Sequence, residues 1–108
     1  MFLWKFTKKL ERNLNRLKGL ISIARKAGFV IIGKDNLASY RKKLYLVLLD
    51  KTAGNSLLRE MNFISENRNI PILEVENLAE VVGIENCKVI GLKNKAMSEN
   101  IEKCLKGE

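Results

Sequence analysis

The residues with the clearest chemical potential lie in one short stretch, Gly33-Lys34-Asp35-Asn36-Leu37-Ala38-Ser39, with Lys42 just beyond it. Glycine, lysine, acid and amide in a row, where an apolar run gives way to a helical pattern, make a candidate anion-binding turn. A helix start offers unsatisfied N–H groups and a partial positive charge, which suit a phosphate. Gly33 has no Cβ, so the backbone there can approach a ligand closely. Asn36 carries both a donor and an acceptor and can read the edge of a base. Lys34 and Lys42 supply charge from either side. The plainer alternative is that Gly33 is a turn and Asp35 the N-cap of the helix that follows.

Catalytic chemistry is hard to assemble from the remaining residues. The chain has no histidine, so the commonest general base is missing. No Gly-x-x-x-x-Gly-Lys-Ser/Thr phosphate loop occurs, and Gly33 stands alone where a dinucleotide fingerprint needs several glycines. The acidic residues are scattered, without the clustered carboxylates that hold Mg²⁺. Cys87 and Cys104 are 17 positions apart, whereas structural zinc wants four ligands in closely spaced pairs. They read as two reduced thiols, Cys87 in a strand and Cys104 on a helix. Lys88 beside Cys87 would point to the opposite face of such a strand, so it is a poor activator. The expectation is a non-enzyme with no catalytic residue, metal or cofactor.

Charge separates the chain into halves. Residues 1–43 carry twelve Lys/Arg and two acids, a net of +10; residues 44–108 carry eight basic and ten acidic residues, a net of −2. A basic half on a near-neutral half is the footprint of a polyanionic partner. No apolar run approaches the ~20 residues of a membrane span. The first residues, Met1-Phe2-Leu3-Trp4-Lys5, lack the charge-then-apolar order of a secretory signal, which predicts a cytoplasmic protein.

The elements that must position these residues follow from periodicity. At 3.6 residues per turn, Phe6, Leu10, Leu14, Leu17, Ile21 and Ala24 share one face of a helix over residues 6–27. Lys5, Lys8, Lys9, Arg12, Arg16 and Lys26 share the other. Gly28 stops that helix. Phe29-Val30-Ile31-Ile32 reads as a short buried strand, and a helix over 36–43 follows, with Arg41, Lys42 and Lys43 at its charged end. The run 44–49 is apolar throughout, as in a central strand buried on both faces. A helix over 56–67 comes next, then a strand over 70–75 with Pro71 at its start or edge. A short helix capped by Asn77 ends at Gly83, a strand covers 87–92, and a helix over 96–105 closes the chain. Strands alternating with helices predict one α/β domain, a three-layer α/β/α sandwich around a four-stranded, mostly buried mixed sheet. Residues 1–6 are expected to form a loose N-terminal extension.

Three local patterns in this order resemble the kink-turn RNA-binding superfamily of ribosomal proteins (the L-seven-Ae and L-thirty-e type), including its short bacterial YlxQ-like members. Gly19-Leu20-Ile21-Ser22-Ile23-Ala24-Arg25-Lys26-Ala27-Gly28, followed by Gly33, is similar to their Leu-x-x-Ala-Arg-x-Ala-Gly, four residues, Gly. Leu46-Val47-Leu48-Leu49 running into a polar loop and helix is the second. Ile70 to Val75, then a short helix to Gly83, is the third. The resemblance spans residues 17–101. It implies that structured RNA is gripped at the start of the second helix, on Gly33, Asp35, Asn36 and Ser39, with Lys34 and Lys42 supplying charge from neighbouring positions. It also implies that the loop before the last strand, with Ile84 and Asn86, covers a flipped-out base. Asp35, Asn36 and Ser39 stand where members carry Asn or Lys, Glu or Gln, and Lys, respectively.

The expected partner is therefore structured RNA, with ribosomal RNA and the ribosome as the first candidates, bound by a cytoplasmic monomer without stable membrane insertion. A second reading makes the basic amphipathic N-terminus a membrane-surface or protein-docking module, since Lys/Arg opposite an apolar stripe is the pattern of an interfacial helix.

Overall fold

The computed structural model describes the backbone of residues 2–106 and the side chains of residues 14–106. Nine elements follow in order: α1 (Phe2–Lys26), β1 (Val30–Ile32), α2 (Lys34–Ser39), β2 (Leu46–Asp50), α3 (Asn55–Arg68), β3 (Ile72–Val75), α4 (Leu78–Val82), β4 (Val89–Leu92) and α5 (Lys95–Leu105). The sheet order is β1-β4-β2-β3. β4 lies antiparallel to both β1 and β2, while β2 and β3 run parallel. The expected α/β/α sandwich with a mixed four-stranded sheet is what the chain forms.

The layers are dictated by alternation along β2, which is buried throughout. Leu46 and Leu48 face one way and meet Leu17, Ile21 and Ala24 of α1, Leu78, Val81 and Val82 of α4, and Ile101 of α5. Val47 and Leu49 face the other way and meet Leu37 of α2 and Met61 and Ile64 of α3. The stripe expected on α1 is thus core from Leu17 onward. The side chains of Lys5, Phe6, Lys8, Lys9, Leu10 and Arg12 lie outside the described residues, while the backbone of α1 is helical from Phe2, where a loose extension and a helix start at residue 6 were expected.

Several boundaries differ from the pattern for physical reasons. The central strand begins at Leu46 rather than Leu44 and runs on to Asp50, whose N–H donates to the Lys88 carbonyl at 2.8 Å. Pro71 precedes β3, as its missing N–H requires, and its carbonyl accepts from Val47 N–H at 2.9 Å. Cys87 is not in a strand: it is buried in the turn before β4, and Cys104 is buried on α5, neither in a disulfide. Asn77 heads α4 in a left-handed conformation but makes no side-chain cap, its amide donating to Glu80 instead.

The largest difference is α2, which ends at Ser39 instead of running to residue 43. The guanidinium of Arg68, at the end of α3, donates to the carbonyls of Tyr40 at 2.8 Å, Ala38 at 2.9 Å and Leu37 at 3.3 Å. Those are the carbonyls a longer helix would have bonded internally. Arg41, Lys42 and Lys43 therefore lie beyond the helix, exposed, in the segment leading to β2.

A single glycine sets how closely α2 approaches the sheet. A Cβ built on Gly91, in β4, would stand 2.3 Å from Cδ2 of Leu37. Leu37 is fully buried in the hollow this glycine leaves. Gly91→Ala should therefore destabilise the fold by about 1–3 kcal/mol through overpacking, read as a lower urea midpoint. Leu37→Ala alone should cost about 2–5 kcal/mol. Combined, the two should cost clearly less than their sum, because the truncated side chain makes room for the added methyl.

Candidate nucleic-acid interface

β1 delivers the chain to Gly33, whose φ of 91° and ψ of 149° suit only glycine. Its N–H donates to the Val89 carbonyl at 3.1 Å, fastening the turn to the start of β4. Its carbonyl accepts from Leu37 N–H at 3.1 Å. Gly33 is thus itself the N-cap, and Asp35, expected in that role, sits within the first turn of α2. An acid there satisfies the favourable end of the helix dipole from within.

The polar side chains around this turn are largely engaged. The Asn36 amide donates to the Ile32 carbonyl at 2.8 Å, and Ser39 Oγ donates to the Asn36 carbonyl at 3.3 Å. Lys34 Nζ lies 3.5 Å from Glu60 of α3, both half exposed. A pair that open contributes little, and its lysine is free to exchange partners.

The second segment, Gly83 to Asn86, is shaped by two left-handed residues, Gly83 (φ 82°) and Asn86 (φ 60°). It is held from α1: Arg25 Nη1 donates to the Val82 carbonyl at 2.7 Å. The arginine of the Ala-Arg-Lys-Ala-Gly stretch therefore closes the end of α4 and fixes where the loop begins.

These segments meet. A groove of about 490 Å³ is lined by Ile32, Gly33 and Lys34, by Ile84, Glu85, Asn86, Cys87, Lys88 and Val89, and by Gly54, Ser56 and Leu57 at the start of α3. Of the expected residues, Gly33, Lys34, Ile84 and Asn86 line it together; Asp35, Asn36, Ser39 and Lys42 do not. Lys42 lies past the end of α2 opposite Lys34 and does not line the groove. Gly54, Ser56, Leu57 and Lys88 are additions to the expected set. A Gly-Asn-Ser turn entering a helix was visible in the sequence, but its position beside β4 depends on strand order, which was not.

Lys88 is held in the groove wall by a buried carboxylate. Asp50, 3 % exposed, accepts at one oxygen from Thr52 Oγ1 at 2.6 Å and Thr52 N–H at 2.7 Å. Its other oxygen accepts from Leu78 N–H at 2.9 Å, so Asp50 fills the capping role at α4 that Asn77 leaves open. Lys88 Nζ donates to Thr52 Oγ1 at 2.9 Å and stands 4.0 Å from Asp50. The Thr52 hydroxyl is the main cause holding the Asp50 carboxyl below its usual range; burial opposes it, and the two N–H groups and Lys88 reinforce it. Burial pushes both cysteine thiols up, which keeps them protonated and poorly nucleophilic at neutral pH.

A larger hollow of about 600 Å³ lies between α1, α5 and the end of β3. Its rim carries Glu74, Glu76 and Glu80, of which Glu76 lies 3.6 Å from Lys51 and Glu80 2.9 Å from Lys18. Among the described residues, no group of three or more His, Cys, Asp or Glu could hold a metal ion, and no helix is long and apolar enough to cross a membrane.

No family model and no curated protein sequence matches this chain. Among solved structures, it is similar to a protein of unknown function from Bacillus halodurans, with a TM-score of 0.75 and 22 % identity over 83 % of this chain and 96 % of that one. It is also similar to the 15.5 kD RNA-binding protein of Giardia lamblia, with a TM-score of 0.58 and 15 % identity over 94 % of this chain and 86 % of that one. At these identities the likeness is one of fold.

The lowered Asp50 carboxyl fixes a pH dependence. Its contribution to stability is fully present above the ordinary aspartate range, near pH 4, and is lost as pH falls through the lower folded-state value. Asp50→Ala should destabilise by about 2–3 kcal/mol at neutral pH, the worth of a buried charged hydrogen-bond set. In acid titrations of urea unfolding, the parent should lose stability steeply below about pH 4, and Asp50→Ala should lack that part of the slope.

Proposed function

We propose that this chain is a non-catalytic RNA-binding protein of the kink-turn-binding, ribosomal-protein type, acting in the cytoplasm on structured RNA. The observation that carries the reading is the groove itself. Two segments 50 residues apart in the chain, Gly33-Lys34 and Ile84 to Asn86, converge on it. Those are the two segments that the resemblance to kink-turn binders assigns to RNA. The similarity in fold to the Giardia RNA-binding protein supports the same class.

The chemistry divides between wall and rim. Ile32, Leu57, Ile84 and Val89 give the groove apolar walls, which suit the faces of an unstacked base better than a phosphate. Asn86 and Ser56 add polar groups for its edge. Lys34 and Lys88 are the rim cations for flanking phosphates, with Glu60 and Glu85 opposing them. A base that leaves its stack is therefore the intended occupant, and the phosphates beside it are held by lysines that trade a weak protein partner for a stronger one. α2 contributes little of its own dipole, since six residues are under two turns. Its role is to carry Lys34 to the groove, and ribosome association follows only if the bound RNA is ribosomal.

Lys34→Glu together with Lys88→Gln should weaken binding to a kink-turn hairpin at least tenfold in gel-shift titrations. It should also lower the slope of log affinity against log salt by about two, one for each phosphate no longer neutralised. Ile84→Ala should weaken binding with no change in salt slope, because it touches base and not phosphate. Unchanged affinity in both variants, with an intact circular dichroism spectrum, would move RNA contact to α1, where Arg16 and Lys26 are exposed.

A further inference from the structure

The truncation of α2 leaves a second basic surface at the opposite end of the sheet. Tyr45 precedes β2 and Lys93 follows β4, and the two strands are antiparallel neighbours. Tyr45 N–H donates to the Leu92 carbonyl at 2.9 Å, which places Tyr45 beside Lys93. Lys93 Nζ lies over the ring of Tyr40 at 5.5 Å from its centroid, and Lys43 Nζ over the ring of Tyr45 at 5.2 Å. Arg41 and Lys42 complete the segment between the two tyrosines. Five-residue β2 separates this cluster from the groove by roughly 17 Å.

The electrostatics of the two ends differ. At the groove, Lys34 and Lys88 each face an acid. In the far cluster Arg41, Lys42, Lys43 and Lys93 form no ion pair with any described residue. Four uncompensated cations side by side repel one another, and an added polyanion relieves that repulsion. Both tyrosines are half-buried with a lysine over each ring, and Tyr40 packs against the cluster between the sheet, α2 and α3. A surface cation–π contact is weaker than the stacking of a base on an aromatic ring. A base can therefore replace the lysine over the ring while the lysine moves to the phosphate.

From this arrangement we infer that the Tyr40–Tyr45 segment and Lys93 form a second nucleic-acid site, one that takes single-stranded RNA by stacking bases on the two tyrosines and seating phosphates on the lysines. Two rings spaced among cations fit unstacked bases, whereas a duplex offers its bases no access to a flat ring. The site stands apart from the groove and does not rest on the groove's reading.

The test uses the full chain and a fluorescein-labelled oligoadenylate of about 12 nucleotides, followed by anisotropy between about 50 and 200 mM salt. Lys43→Glu with Lys93→Glu should weaken its binding at least tenfold. Tyr45→Leu should weaken it about tenfold and Tyr45→Phe should leave it within about twofold, since the ring and not the hydroxyl does the stacking. Urea midpoints of these variants separate lost binding from lost folding, and Lys43→Gln with Lys93→Gln, which adds no repulsive charge, serves where the double glutamate variant unfolds. The groove variant Lys34→Glu/Lys88→Gln should bind the oligoadenylate like the parent; if it alone loses binding, the single strand sits in the groove and the inference is overturned. An RNA duplex of the same length that binds as tightly and responds equally to Tyr45→Leu would also overturn it. So would unchanged oligoadenylate binding in the Lys43/Lys93 variant alongside lost sedimentation with phosphatidylserine vesicles, which would make the patch a membrane surface.

Discussion

One buried carboxylate governs the working end of this fold. An ionised aspartate removed from water is strongly disfavoured unless donors surround it, and Asp50 collects them from three separate places in the chain: the turn after its own strand, the start of α4 and the segment entering β4. Satisfying that charge forces the three segments together. The turn after β2 and the head of α4 cannot move apart without stripping the carboxylate of hydrogen bonds, and Lys88 adds its charge from 4.0 Å. The groove is built on this junction, so its lysine is placed by the requirements of the core rather than by the surface on which it emerges.

Two arginines extend the same logic to the short helices. α2 has six residues and α4 five, too few for either to persist by its own hydrogen bonds. Arg68 of α3 takes three carbonyls at the C-terminal end of α2, and Arg25 of α1 takes the last carbonyl of α4, that of Val82. A planar fork of donors suits this task better than a lysine would. Leu37 pinned over Gly91 completes the fixation of α2 from below. Segments that look like flexible connectors are thereby tied to the longer helices and the sheet, and fixed segments are what binding a specific shape requires.

How much of this was legible depended on the range of the cause. The four strands and the amphipathic helices follow from local periodicity, and so did the layer order once β2 was recognised as buried on both faces. Asp50 was not legible: a polar residue at the end of an apolar run reads as the first residue of a loop, and only the arrival of Leu78 and Lys88 turns it into a core residue. The stop of α2 was equally hidden, because Tyr40 and Arg68 are 28 positions apart and nothing between them signals that they meet. The long-range hydrogen bonds of that one guanidinium carry Lys42 away from the neighbourhood its spacing suggested. The groove needed the strand order β1-β4-β2-β3, which brings the start of β4 between the ends of β1 and β2.

The charge asymmetry that first pointed to a polyanion acquires a finer meaning from this geometry. The described cations of residues 14–43 do not gather at the groove. Lys18 is paired with Glu80, Arg25 is committed to α4, and Lys34 alone reaches the groove from this half of the chain. Arg41, Lys42 and Lys43 lie at the other end of the sheet. A groove with apolar walls and compensated lysines gains little from long-range attraction and much from shape. A patch of uncompensated cations gains the reverse, since phosphate neutralisation is indifferent to sequence. On the proposed reading, selectivity and affinity are therefore carried by opposite ends of one small sheet. On that reading, the separation lets the groove keep the acids that fix its lysines without weakening the electrostatic pull that the far patch would exert on a polyanion.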